Sequence, residues 1–311
     1  MHPAFSIIIF TTLSGLGYGL AALLGLGLLD PAQMATKAAH VIALALIGGG
    51  LISSTLHLGN PQRAWRAFSQ WRSSWLSREG VLAIFTFVPL TWSAWLAVFE
   101  SRWEPVIGTA GTLLCAITVF STSMIYASLK SIDSWHSPWT PASYLGFSAA
   151  SGATATALFA ALGGAESLWP FALGAAVLVA VAWAIKLGWR EQTGRPPLST
   201  PETATGLGHL GTVRELEPPH MTDNYLTREM GFRVGRKHAR KLWLIASVVG
   251  CGVPVVLLIG LAVAAGAPGG AATLVSLAAL ASLMAGILVE RWLFFAEARH
   301  AVMNYYRGQL S

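Results

Sequence analysis

The feature that most constrains this chain is a series of apolar runs, each near the roughly 20 residues that a helix needs to cross the hydrocarbon of a bilayer. Eight can be marked, at Phe5–Leu29, Ala38–Leu56, Gly80–Phe99, Val106–Leu129, Ala142–Leu162, Phe171–Leu187, Leu242–Val263 and Ala271–Phe294. Lipid offers no water to peptide groups, so each run must satisfy its own backbone by forming a helix. The pattern predicts an all-α polytopic membrane protein, an eight-transmembrane-helix bundle forming a single membrane domain over residues 1–311. Charged residues make up only 11% of the chain, less than half the roughly 25% of a soluble domain. The first run has no basic residues before it and exceeds the apolar core of a signal peptide, so it reads as a retained helix.

Local punctuation agrees with these bounds. Leu58-Gly59-Asn60-Pro61 stops the second helix, since glycine takes a left-handed cap and proline cannot continue the ladder. Ser77 is placed to cap the third, which puts Glu79 in its first turn. Pro89 and Pro254 fall inside runs, which membrane helices tolerate when a neighbour satisfies the freed carbonyl. Small residues crowd the first, fifth and eighth runs and allow close backbone approach. No internal repeat of the transporter kind is visible. Cys115 and Cys251 sit in apolar runs without a CxxC or a histidine beside them, and read as small core residues.

Charge sets the expected orientation. Of the 20 lysines and arginines, only Lys37 and Arg102 fall on the side opposite the termini. The positive-inside rule then places both termini, and the second, fourth and sixth connections, on the cytoplasmic side of the membrane. The same asymmetry accounts for the net charge of +6 without nucleic acid. Between the sixth and seventh runs, Trp189–Arg240 is polar and proline-rich, far longer than an ordinary connection, and is expected to dock partner subunits. Its Gly206-Leu207-Gly208-His209-Leu210-Gly211 matches a dinucleotide fingerprint in letters only, with no strand before it.

Chemistry-bearing residues gather at the inner rim. The spans themselves look almost free of ionisable groups, with His40 near the outer end of the second and Glu290–Arg291 near the inner end of the eighth, which counts against an ion carrier. His40 and His57 lie on one helix, roughly 25 Å apart at 1.5 Å per residue, and cannot share a haem iron. The rim stretch from Ser53 to Glu79 holds Arg63, Arg66, Arg72 and Arg78 among Trp65, Trp71 and Trp75. A quinone headgroup arrives from lipid and takes two electrons and two protons, so its site needs hydrogen-bonding and proton-passing groups at headgroup depth. His57 titrates near neutrality, and Glu79 could pair with it or with Arg78. Asp133, His136 and Trp139 in the fourth connection face the same side. Each also has a plainer role, as a dipole-favoured helix terminus or an interfacial anchor.

The run His57-Leu58-Gly59-Asn60-Pro61-x-Arg63-Ala64, the Leu76-Ser77-x-Glu79 start and the Asp133…Trp139-Thr140-Pro141 connection resemble the membrane anchor subunit family of dimethyl-sulfoxide-reductase-type molybdoenzymes. The resemblance covers nearly the whole chain. It implies a haem-free anchor without a metal of its own. It also implies an iron–sulfur partner subunit and a catalytic partner carrying Mo-bis(molybdopterin guanine dinucleotide), with electrons exchanged with ubiquinone or menaquinone. The family's quinone-site histidine and glutamate fall on His57 and Glu79. Arg78, Arg63, Asp133 and Trp139 are further quinone-site candidates, and Arg66, Arg72, Arg228, Arg233 and Arg236 are candidates for partner docking. The inward-facing rim and the long sixth connection are similar to the anchor of cytoplasm-facing sulfite dehydrogenase. That points to electrons passing from sulfite to quinone. The alternatives are a quinol-oxidising anchor of a sulfoxide reductase, a purely structural anchor, and a transporter.

Overall fold

The structure is a computed structural model that describes residues 3–55, 60–194, 199–214, 216–217, 222, 234–264 and 269–309. Eight helices among these residues are long and apolar enough to cross a membrane. The first six are α1 (Phe5–Gly25), α2 (Met34–Thr55), α3 (Trp75–Glu100), α4 (Pro105–Ala127), α5 (Trp139–Leu162) and α6 (Trp169–Thr193). After a short α7 (Pro201–Thr205), the seventh span is built from α8 (Val234–Ser247), a π-helical turn at Val248–Gly252 and α9 (Val253–Val263). The last is α10 (Gly270–Ala296).

Several helices run past their apolar stretch. The cap of α3 is Ser74, whose hydroxyl accepts from the Ser77 amide, so Ser77 lies inside the helix and Glu79 one turn in. The expected cap at Ser77 is corrected because the helix takes in the amphipathic Trp75–Arg78 turn before the apolar run begins. Likewise α6 continues through Trp189 to Thr193, and α8 begins at Val234, which shortens the sixth connection at both ends. Gly206, at φ 70°, caps α7 rather than opening a phosphate loop.

The helices pack as two rings of four. In one, α1 meets α2 and α4, and α3 closes the ring against α2 and α4. In the other, α5 packs on α6 and α10, and α9 closes against both. The rings meet chiefly where α1 lies along α5. Gly19 makes this possible, because a Cβ there would run into the Ser148 carbonyl oxygen. Several serine and threonine hydroxyls on these helices return to their own backbone, as Ser151 does to Phe147 and Thr154 to Ala150, which meets those donors inside the bundle.

Pro254 shows how a helix breaker is absorbed. It lacks the N–H that would bond Gly250, four residues back. The indole N–H of buried Trp183 donates to that Gly250 carbonyl at 2.8 Å, and Ser282 donates to Val249 at 2.6 Å. The π turn therefore sits where α6 and α10 supply the missing donors, as the sequence rule for proline in membrane helices requires.

Candidate functional site

At the rim, residues 61–70 form a 3-10 helix lying across the start of α3, with Phe68 against Gly80. Trp65, Phe68 and Trp71 remain exposed, and the guanidinium groups of Arg66 and Arg72 stand 5.6 and 5.5 Å from the centres of their neighbours' rings, Trp65 and Trp71. An exposed belt alternating rings with arginine suits a headgroup layer or a charged partner surface. Arg63 is exposed in the same belt.

Arg78 does not pair with Glu79. Its Nε donates to the Trp71 carbonyl at 3.0 Å and its Nη2 to the Arg72 carbonyl at 2.7 Å, while the guanidinium stacks on Trp75 at 4.3 Å. Successive residues on a helix point about 100° apart; Arg78 therefore closes the collar while Glu79 turns inward. In place of Arg78, the partner of Glu79 is the Thr122 hydroxyl of α4, which donates to Oε1. Glu79 is 5% exposed. Beneath it, Thr86 and Thr118 hydroxyls meet at 2.9 Å, continuing a polar stripe down the α3–α4 contact. His57, Arg228 and Arg233, and the side chain of Arg236, lie outside the described residues.

The fourth connection is clamped to the bundle floor. Trp135 Nε1 donates to the Phe294 carbonyl at 2.9 Å, Trp189 Nε1 donates to Ser134 at 2.8 Å, and Ser137 donates to Gln192 at 2.6 Å. His136 uses Nδ1 on the Ala127 carbonyl at 2.7 Å, which ends α4. Trp139 packs on Gly188 of α6, and Asp133 is half-buried in the same connection. These residues share the rim with Glu79, but Trp139 and His136 are engaged with other helices.

A second buried cluster joins Lys186 to the Glu290–Arg291 pair near the inner end of the last span. Lys186 of α6 and Glu290 and Arg291 of α10 are 2%, 0% and 2% exposed. Lys186 Nζ stands 2.6 Å from Glu290 Oε1, and Arg291 Nε 3.6 Å from Oε2, as charge contacts without hydrogen-bond alignment. The ammonium also lies 3.2 Å from the centre of the Trp189 ring, and the guanidinium 3.8 Å from that of Tyr144. Lys186 and Arg291 are rim charges in a sequence count because they lie near the ends of apolar runs. The longer helices fold them inside, roughly 6–10 Å from their helix ends, at the depth of Glu79.

Between the two rings, α1, α4, α5 and α10 line a cavity of about 20 Å³, walled by hydroxyls and Arg291 together with Leu16, Val119, Phe147 and Ile287. It is far smaller than the several hundred Å³ of a site for an organic ligand, so a quinone ring cannot occupy it. Among the described residues no group of three or more His, Cys, Asp or Glu side chains could hold a metal ion.

The model of the family described as DMSO reductase anchor subunit (DmsC) matches residues 1–296. The chain belongs to that family. It is an anchor subunit, and its eight apolar helices are the membrane part that such a subunit requires. It is 33% identical to the C subunit of sulfite dehydrogenase from Allochromatium vinosum, over 99% of each protein. It is 30% identical to the C subunit of anaerobic dimethyl sulfoxide reductase from Escherichia coli K12, over 43% of this sequence and 50% of that one. No solved structure matches it. Sequence reasoning missed Thr122, Tyr18, Tyr144 and the meeting of Lys186 with Glu290. A threonine or tyrosine inside an apolar run carries no signal of what it faces.

Proposed function

We propose that this anchor subunit exchanges electrons between an iron–sulfur partner and membrane quinone at the rim formed by the α2 end, the 3-10 helix and the α3 start. The observation that carries the reading is Glu79. A carboxyl group is expensive inside a bilayer span and marks function by default, and this one is held by Thr122 directly behind an aromatic and basic collar. His57, two residues past the described end of α2, supplies the second proton-passing group. In this reading a quinone arriving from lipid takes two electrons from the partner subunit and two protons through these side chains, leaving as quinol. Arg63, Arg66 and Arg72 are exposed for contact with lipid phosphates or the partner.

The rim faces the cytoplasm in this reading, supported by the lysine and arginine asymmetry. Electrons run from sulfite, through a molybdenum-bearing catalytic subunit and iron–sulfur clusters, to quinone. Support for that direction is the full-length similarity to a sulfite dehydrogenase subunit, against partial coverage of a sulfoxide reductase subunit. The test is Glu79→Gln and His57→Ala in the assembled complex. Each should cut quinone-linked turnover at least a hundredfold while the partner subunits stay attached and reduce a soluble dye. Unchanged quinone turnover in both would reject the site and leave a structural anchor.

A further inference from the structure

The cavity between the rings is not used by the quinone site, and its walls are chemically unsatisfied. Thr12 Oγ1, Tyr18 OH and Tyr144 OH, together with Nε and Nη1 of Arg291, all line it or belong to its lining residues, and none has a hydrogen-bond partner. All four residues are at least nine-tenths buried. Buried polar groups without protein partners are the usual berth of internal water, and about 20 Å³ admits one or two molecules. Three hydroxyls and a guanidinium give such water both donors and acceptors.

Its position gives this water a route. Thr122 lines the cavity and donates to Glu79 on its other side. Arg291 lines it too and contacts Glu290, which in turn touches Lys186. Tyr18 and Tyr144 both lie within electrostatic reach of Glu79. One residue beyond Tyr18, Gly19 meets Ser148 and Gly152 backbone to backbone, so α1 and α5 touch directly there.

We infer that the cavity holds ordered water that hydrogen-bonds Tyr18, Tyr144 and Arg291 and reaches Glu79 through the Thr122 hydroxyl. It is a proton relay behind the carboxyl assigned to the carrier. Protons hop along water and hydroxyls, while Arg291, which stays charged, only orients the water. The water and hydroxyls take up and return the Glu79 proton while a quinone covers the rim. This role rests on the quinone reading; the occupancy by water does not.

The experiment uses the whole complex in lipid nanodiscs. Brief X-ray pulses make hydroxyl radicals from bound water, so Tyr18 and Tyr144 should be oxidised at least tenfold faster than the equally buried Phe294. The double variant Tyr18→Phe/Tyr144→Phe should reduce quinone about tenfold more slowly, with a larger solvent deuterium effect, and Thr122→Val should do the same. Dye reduction by the catalytic subunit should not change. Tyrosines labelled no faster than Phe294 would overturn the water. Labelled tyrosines with wild-type turnover and isotope effect in the double variant would overturn the relay. Silent Glu79→Gln and His57→Ala would instead reject the quinone reading, with the labelling still deciding the cavity.

Discussion

Glu290 concentrates the electrostatics of the interior into one side chain. It touches both Lys186 and Arg291, and is 0% exposed. Each such charge alone would cost about 3 kcal/mol in a membrane helix, so the three are tolerable because they are mutually compensating. Removing one partner of a buried ion pair typically costs about 3–5 kcal/mol, since the other charge is stranded. Glu290→Gln strands two cations and should lower the unfolding temperature of the purified subunit sharply. Lys186→Met added to it should recover part of the loss. Thermal unfolding in detergent, followed by the near-ultraviolet signal of Trp189 and its neighbours, measures both.

Among the elements, the seventh span shows a helix whose regularity depends on its neighbours. Pro254 frees the Gly250 carbonyl, and the Trp183 indole takes it. Trp183→Phe keeps the ring packing against Phe147 but leaves a buried carbonyl without a donor. The expected cost is about 1–3 kcal/mol, read as a fall in detergent unfolding temperature, with the α8–α9 turn becoming the first segment to exchange its amide hydrogens. The start of α3 is another such case. Ser74 caps it, and Phe68 of the preceding 3-10 helix packs on Gly80, so the collar and the buried carboxyl are one local unit.

At the scale of the whole molecule, two four-helix rings share a seam along α1 and α5, and the rim, the ion cluster and the cavity all lie toward one end of it. That end carries nearly all the basic residues, which sets the expected sidedness. A Ser69→Cys substitution in the exposed 3-10 helix, with Cys115 and Cys251 replaced by alanine, reports it directly. An impermeant maleimide should label it in inverted membrane vesicles and leave it unlabelled in intact spheroplasts. Labelling in spheroplasts would reverse the orientation and move the partner subunits to the other face.

The sequence alone determined the eight spans, because hydropathy over about 20 residues is a local property and lipid permits only helices there. It also placed Glu79 at the start of a span and marked the arginine and tryptophan collar, since both are read within one or two turns of chain. It could not decide that Arg78 turns to the collar, that Thr122 holds Glu79, or that Lys186 meets Glu290. Those partners are up to about a hundred residues apart, and a one-residue rotation of any helix would exchange them. Only the packing of glycine-lined helices into two rings sets those rotations, through backbone approaches too close for any side chain to share.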